Sequence, residues 1–198
     1  MPVEVVSYML SNKDIRKRLQ FQIILQCAPF LKGIKIACIT NIETRYCKEL
    51  GMILKDTDIE YKILTVNKGR SLVFFYRREE FAAYLNKAEV REFLEHYGYE
   101  IGTVDQVLNR LSARVCQYSC NEGCFPHEIG AFLDYPIDDV RCFIEQGGKG
   151  CLLTGYWKVY NNPEKAQMTF LAYDKAKTSA VNEFLVGKTL QDIAYKAA

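Results

Sequence analysis

Side chains able to do chemistry crowd into the stretch 116–160, which holds five of the eight cysteines, one of the two histidines and the only tryptophan. Cys116, Cys120, Cys124 and His127 follow one another with C-x3-C-x3-C-x2-H spacing. Thiolates and an imidazole are the donors that zinc or an iron–sulfur cluster requires. The four-residue step keeps Cys116 and Cys120 on one helical face before Gly123 and Pro126 bend the chain. The count suits a metal, but zinc sites usually open with cysteines roughly two to four residues apart and close with a second, distant pair. Inert or oxidation-sensitive thiols fit the same residues.

His127 and Glu128 invite a catalytic reading, with His127 as base or ligand. Adjacent side chains on a helix point about 100° apart, so these two cannot pair with each other and each needs another partner. Pro126 pre-sets a first helical turn and Glu128 is favourable at its positive end, which makes capping the competing reading. Farther on, the stretch 151–160 alternates like one strand, with Tyr156, Lys158 and Tyr160 on one face and Gly155, Trp157 and Val159 on the other. The first face could hold a planar or anionic ligand by stacking and charge, and an amphipathic sheet surface has the same pattern. The site expected from these residues is a small-molecule site. It uses His127 and Glu128 for chemistry, Lys158 for an anion and Tyr156, Trp157 and Tyr160 as walls. A metal or thiol protein using Cys116, Cys120 and Cys124 is the alternative, and the residues name no cofactor for either.

Between these groups, Ile129, Phe132 and Leu133 form one short apolar face, Tyr135-Pro136 interrupts it, and Val140, Phe143 and Ile144 form another that ends at Gly147-Gly148. That is a helix-turn-helix outline, and a DNA- or protein-interaction module is the third reading. Its outward residues would be Asp138, Asp139, Arg141, Glu145 and Gln146. Three acids against one base suit a phosphate backbone poorly.

The elements that must carry this stretch are legible in the periodicity. Ser11 and Asp14 resemble a capping box for a helix over about 12–27, whose basic start (Lys13, Arg16, Lys17, Arg18) reads as a solvated face, with Pro29 and Gly33 as breakers. A strand over 34–39 runs into a second capping box, Thr40 and Glu43, and a helix through Tyr46, Leu50, Ile53 and Leu54. No glycine lies between Ile39 and Glu43 to make that junction a phosphate loop. Strands over 59–66 and 71–76 flank the turn Asn67-Lys68-Gly69. Two helical stretches with a break near Asn86 end at Gly98, where His96 beside the apolar stripe reads as packing. A helix over about 103–117 delivers the chain to the cysteines, and Asn162-Pro163-Glu164 starts a last long helix. The segment after Gly187 reads as a short terminal helix or frayed tail. The expected fold is α/β or α+β, a small sheet of about three to four strands flanked by helices with a helical C-terminal half, in one domain over 1–198. The one place for a subdivision is 98–103.

Composition excludes several classes. A net charge of +2 from 26 basic and 24 acidic residues gives no global field for nucleic acid or an anionic membrane. There is no apolar run of about 18 residues and no secretory pattern at the N-terminus, so the chain reads as cytoplasmic, with reduced cysteines. Thirteen tyrosines and eleven phenylalanines mark an ordered core.

FPHEIG at 125–130, the leucine-tyrosine-proline turn followed by Asp139-Val140 and Phe143-Ile144, and GYWKVY at 155–160 together resemble a bacterial family, DUF3793. CAPFLKGIK from Cys27 and FLEHYGY from Phe93 fit the same pattern, so the resemblance covers most of the chain to about residue 175. It implies a cytoplasmic protein typical of anaerobic bacteria, and carries over no activity, substrate or cofactor. Asp134 stands where the family usually has glycine, which puts a positive-φ turn there in doubt. Cys116 and Cys120 lie outside the pattern, which weakens the metal reading.

Overall fold

The computed structural model describes residues 3–120 and 123–195. A helix that the periodicity did not announce, α1 (Val3–Leu10), precedes α2 (Ile15–Leu31). The cap of α2 is Asp14, whose carboxylate accepts the N–H groups of Arg16 and Lys17 at 2.9 and 3.2 Å, while the Ser11 hydroxyl donates back to the Tyr8 carbonyl. Pro29 does not stop this helix. It is buried inside it, and the chain turns only at Gly33, in the left-handed region at φ +71°.

Strand β1 (Ala37–Glu43) starts later and runs longer than the expected 34–39. Thr40 and Glu43 are therefore strand residues, not a capping box: they pair opposite Val73 and Arg70, and the Thr40 hydroxyl meets the Gln26 side chain. A 3-10 helix (Thr44–Glu49) and the single turn α3 (Leu50–Ile53) follow. Strands β2 (Ile59–Asn67) and β3 (Arg70–Arg77) form the expected hairpin, and Lys68 and Gly69 are both at positive φ (46° and 76°), the geometry that matches strand twist in a two-residue turn. The antiparallel order is β1-β3-β2. The register slips between Ile63 and Thr65, and Leu64 is buried at this bulge.

Strand alternation then divides the apolar residues into two clusters, one on each face of the sheet. Val73 and Phe75 of β3, with Cys38 and Ile42 of β1, join α2 and the C-terminal helices, whereas Phe74 and Tyr76 join the helices that follow the hairpin. Those helices are α4 (Arg78–Leu85), α5 (Ala88–His96) and α6 (Val104–Ser119), the last started by a full capping box between Thr103 and Gln106. The break at Asn86 is where the sequence put it. The loop at 98–103 joins α5 and α6 within one cluster, to which Tyr99 in that loop also belongs. Two short helices follow, α7 (Ile129–Phe132) and α8 (Ile137–Glu145).

The expected single strand over 151–160 is instead a hairpin, β4 (Leu153–Thr154) and β5 (Lys158–Val159), turning at Gly155-Tyr156-Trp157. Gly155 decides this turn. A Cβ there would lie 2.1 Å from the Phe170 ring, so only glycine lets the turn sit on α9 (Pro163–Leu185). The single turn α10 (Leu190–Ile193) closes the chain. The architecture is α+β: a three-stranded antiparallel sheet between helical layers, with a helical C-terminal half.

One ionic clamp ties the ends of α2 and α9 together. Glu183 receives Lys32 Nζ at 2.6 Å and Lys188 Nζ at 3.0 Å, and these two ammonium groups pull its carboxyl down to about 2. A carboxyl depressed in the folded state stabilises above its unfolded pKa of about 4.3, and that contribution fades as pH falls toward 2. Glu183→Gln is expected to cost on the order of 1 kcal/mol above about pH 5, a modest figure because water still reaches the pair. Urea unfolding of both proteins across pH should show this gap closing in acid.

Candidate functional site

The nominated stretch folds into an aromatic cup of about 170 Å³. The chain after α6 supplies Phe125 and His127, the link between α7 and α8 supplies Tyr135, α8 supplies Val140 and Phe143, and the small hairpin supplies Trp157 and Lys158. His127 is exposed, its ring 5.2 Å from that of Phe125 and 5.0 Å from that of Phe143. Opposite it, Tyr135 stacks on Trp157 at 5.3 Å, and Phe170 meets Trp157 edge-on at 4.6 Å. The Lys158 ammonium donates to the Gly148 carbonyl at 2.6 Å and lies 5.8 Å from the Phe143 centroid. No carboxylate among the described residues pairs with it.

The hairpin is fixed to α8 by Asp139, a residue expected on the outside of that helix. It is 2% exposed. One carboxylate oxygen accepts the indole N–H of Trp157 at 2.8 Å, and the other accepts the backbone N–H groups of Tyr160 (2.9 Å) and Asn161 (2.8 Å) and the Asn161 amide (3.3 Å). A partly buried indole N–H favours an acceptor, and the aspartate in the first turn of a neighbouring helix was the signal that could have identified this pair. The α8 residues left in solvent include Asp138, Arg141 and Glu145, so that face is still more acidic than basic.

Glu128 is not in the cup. As expected of neighbours, His127 and Glu128 diverge: Glu128 is buried, with Arg114 Nε in direct contact and the Tyr99 hydroxyl donating to it at 2.9 Å. Burial together with this carboxylate pushes the Tyr99 hydroxyl far above its ordinary pKa. Glu128 thus anchors the start of α7 to α6, which is a positioning task.

The turn at 155–157 also separates the residues that strand alternation placed on one face. Tyr156 points away from the cup, donating to Asp174 at 2.7 Å, and burial and that carboxylate raise its pKa. Tyr160 contributes its backbone to Asp139, and its hydroxyl is buried with no hydrogen-bond partner among the described residues. The cysteines are not gathered either. Cys116 lies 3.6 Å from the Thr65 hydroxyl, Cys120 caps the end of α6, and Cys124 is exposed. Among the described residues no three histidine, cysteine, aspartate or glutamate side chains are grouped to hold a metal. The rings around His127 take up its two sides, and residues 121 and 122 lie outside the described chain.

Two further residues stand behind the cup. Lys35, flanked by isoleucines, is buried with its ammonium 4.7 Å from the Tyr135 centroid, and burial lowers its pKa. Asp134 adopts the left-handed conformation, at φ +59°. Aspartate is among the few L residues that visit this region. Burial raises the pKa of its carboxyl. The turn before Tyr135-Pro136 therefore does have positive φ, with an aspartate in it.

Among the described residues no helix is long and apolar enough to cross a membrane. No curated protein and no solved structure matches the chain. The family model described as "Protein of unknown function (DUF3793)" matches residues 23–194, from the middle of α2 through α10, including the cup and its supports. On that match the chain belongs to the DUF3793 family.

Proposed function

We propose that this chain binds a small molecule in the aromatic cup, and that the ligand presents a flat or apolar group to Trp157 and Tyr135 and an anionic group to Lys158. The observation behind this reading is the contrast between the cup's lining and its frame. Asp139, which also lines the cup, has both carboxylate oxygens occupied by internal donors, and Glu128, outside it, receives Tyr99 and Arg114 on one oxygen. Of the lining groups, the His127 ring nitrogens have no hydrogen-bond partner among the described residues. Lys158 has three N–H donors and uses one, on Gly148. Rigid aromatic walls with a few polar groups at the mouth are the usual composition of a ligand pocket. At about 170 Å³ the cup is below the roughly 300 Å³ at which drug-sized pockets begin, so it suits a single ring or the end of a larger molecule. His127 is the group that would exchange a proton with a bound ligand or ligate it.

Trp157 is the only tryptophan, so its fluorescence reports on the cup alone. Titration with benzoate and indole-3-carboxylate is expected to change its emission saturably, with benzamide weaker. Lys158→Ala should weaken the carboxylates about tenfold or more, the usual worth of a charged hydrogen bond. His127→Ala should weaken them as well while leaving the unfolding midpoint in place, because its side chain is exposed. No saturable change with either carboxylate, or equal affinity in both variants, would remove the proposal.

A further inference from the structure

A second cavity system lies on the other side of the small hairpin, along α2 and the outer edge of β1. One part, of about 620 Å³, is lined by Thr40, Asn41, Tyr156 and Lys177, and the other, of about 330 Å³, by Arg18, Gln22 and Tyr46. Gln26 and Arg70 line both, so the two form one groove with Arg70 at its middle.

Three cations line this groove, and none is paired with a carboxylate among the described residues. Arg70 donates to the Asn41 carbonyl at 3.2 Å, and Arg18 to the Tyr46 hydroxyl at 2.7 Å and the Asn12 carbonyl at 3.3 Å. Lys177 has no hydrogen-bond acceptor among the described residues. Lys32, Arg77, Arg78 and Arg114, by contrast, each meet an acid. The one carboxylate lining the groove, Glu43, is taken up by Arg45 at 2.7 Å. Side-chain amides and the Tyr46 hydroxyl supply neutral polar groups between the cations.

A cavity of this size, with cations set along its length and not clustered at one point, fits an elongated anion better than a single small one. We infer that the groove running from Arg18 through Arg70 to Lys177 binds a polyphosphate chain, inorganic or carried by a nucleotide, with Arg70 at its centre. Arginine is suited to that position, because its planar fork meets two phosphate oxygens at once. Tyr156 and Tyr46 line opposite parts of the groove, the Tyr46 ring carrying the Arg18 guanidinium 5.1 Å from its centroid. This explains Tyr156 as a ligand wall of the groove instead of the cup.

The test is calorimetric titration of the full chain with inorganic tripolyphosphate at low ionic strength, alongside adenosine triphosphate and orthophosphate. Tripolyphosphate is expected to bind saturably and more tightly than orthophosphate, and its affinity should fall as salt rises. Arg70→Gln and Lys177→Gln should each weaken it about tenfold, while Lys55→Gln, an exposed lysine elsewhere, and the cup variant Lys158→Ala should not. Equal affinities for tripolyphosphate and the nucleotide identify the phosphate chain as what is recognised, and tighter nucleotide binding adds the base; both support the site. Because Arg70 is exposed and Lys177 only half-buried, circular dichroism should show both variants folded. Absence of saturable binding, or folded Arg70→Gln and Lys177→Gln variants indistinguishable from Lys55→Gln, would overturn the inference.

Discussion

Asp139→Ala is expected to destabilise the protein by about 2–3 kcal/mol, because it strips the acceptor from several partly buried donors at once and a fully buried unsatisfied group costs about 1–3 kcal/mol. The donors are the Trp157 indole N–H and the backbone N–H groups of Tyr160 and Asn161. Water admitted to the gap can replace some of these bonds, which keeps the figure below their simple sum. Asp139→Asn is the informative companion: its amide oxygen can still accept on one side, but its NH2 would face donors on the other, so an intermediate loss of about 1–2 kcal/mol is expected. Urea unfolding followed by tryptophan emission measures both quantities in one experiment. A red-shifted native spectrum in Asp139→Ala would show the hairpin released from α8 before the rest of the fold is lost. If Asp139→Ala unfolds at the wild-type midpoint, the hairpin is held by ring packing alone.

Glu128→Ala is expected to cost about 2–4 kcal/mol. Removing one member of a buried ion pair leaves an uncompensated charge, which usually costs about 3–5 kcal/mol, and here Arg114 is 30% exposed and can turn partly toward water. The Tyr99 hydroxyl, buried with it, has no such escape. Glu128→Gln keeps an acceptor for both partners and loses only the charge assistance, so it should recover most of the stability. This pair of variants separates the two roles the sequence allowed. If Glu128 is a positioning residue, Glu128→Gln binds cup ligands as the wild type does; if it acted on ligand directly, the same variant would be stable but impaired. A double-mutant cycle with Arg114→Met should return a coupling of roughly 1–3 kcal/mol, since the two side chains touch.

The hydrophobic periodicity was enough for most of the helices and for the main hairpin. The turn at Lys68-Gly69, the break at Asn86 and the start of α6 at Thr103 were legible because each rests on local backbone chemistry that operates within a few residues. The failures have a common cause. Thr40 and Glu43 had the spacing of a capping box, yet pairing with β3 extended β1 through both of them, since a ladder partner across the sheet outweighs a cap. The segment 151–160 alternated well enough to be one strand, but Phe170, fifteen residues beyond Gly155, has its ring where any side chain on Gly155 would sit, and the chain turns there.

The same division runs through the candidate site. His127, Trp157 and Lys158 were chosen by residue type and are brought together in the cup, while Glu128, Tyr156 and Tyr160 had equal claims by type and went elsewhere. Adjacent or alternating residues differ in direction by rotations that the sequence specifies only if the element is known, and at 151–160 it was read wrongly. Asp139 shows the reverse case: as a first-turn acid of α8 it looked solvated, and only the docking of a hairpin from later in the chain gave it four donors and buried it.

What the sequence by itself determined is therefore local: helix starts, the tight turn of the main hairpin, the two-faced apolar pattern of β3, and the family, which follows from matching residues along most of the chain. The tertiary structure decided which polar side chains are frame and which are lining. Whether a carboxylate is saturated by internal donors or a cation is left without one depends on groups far apart in sequence. Asp139 meets Trp157 and Asn161, Glu128 meets Tyr99 and Arg114, and Arg70 shares a groove with Lys177. No spacing within one segment encodes those meetings, because the distances that set them are closed by packing across the sheet and between helices.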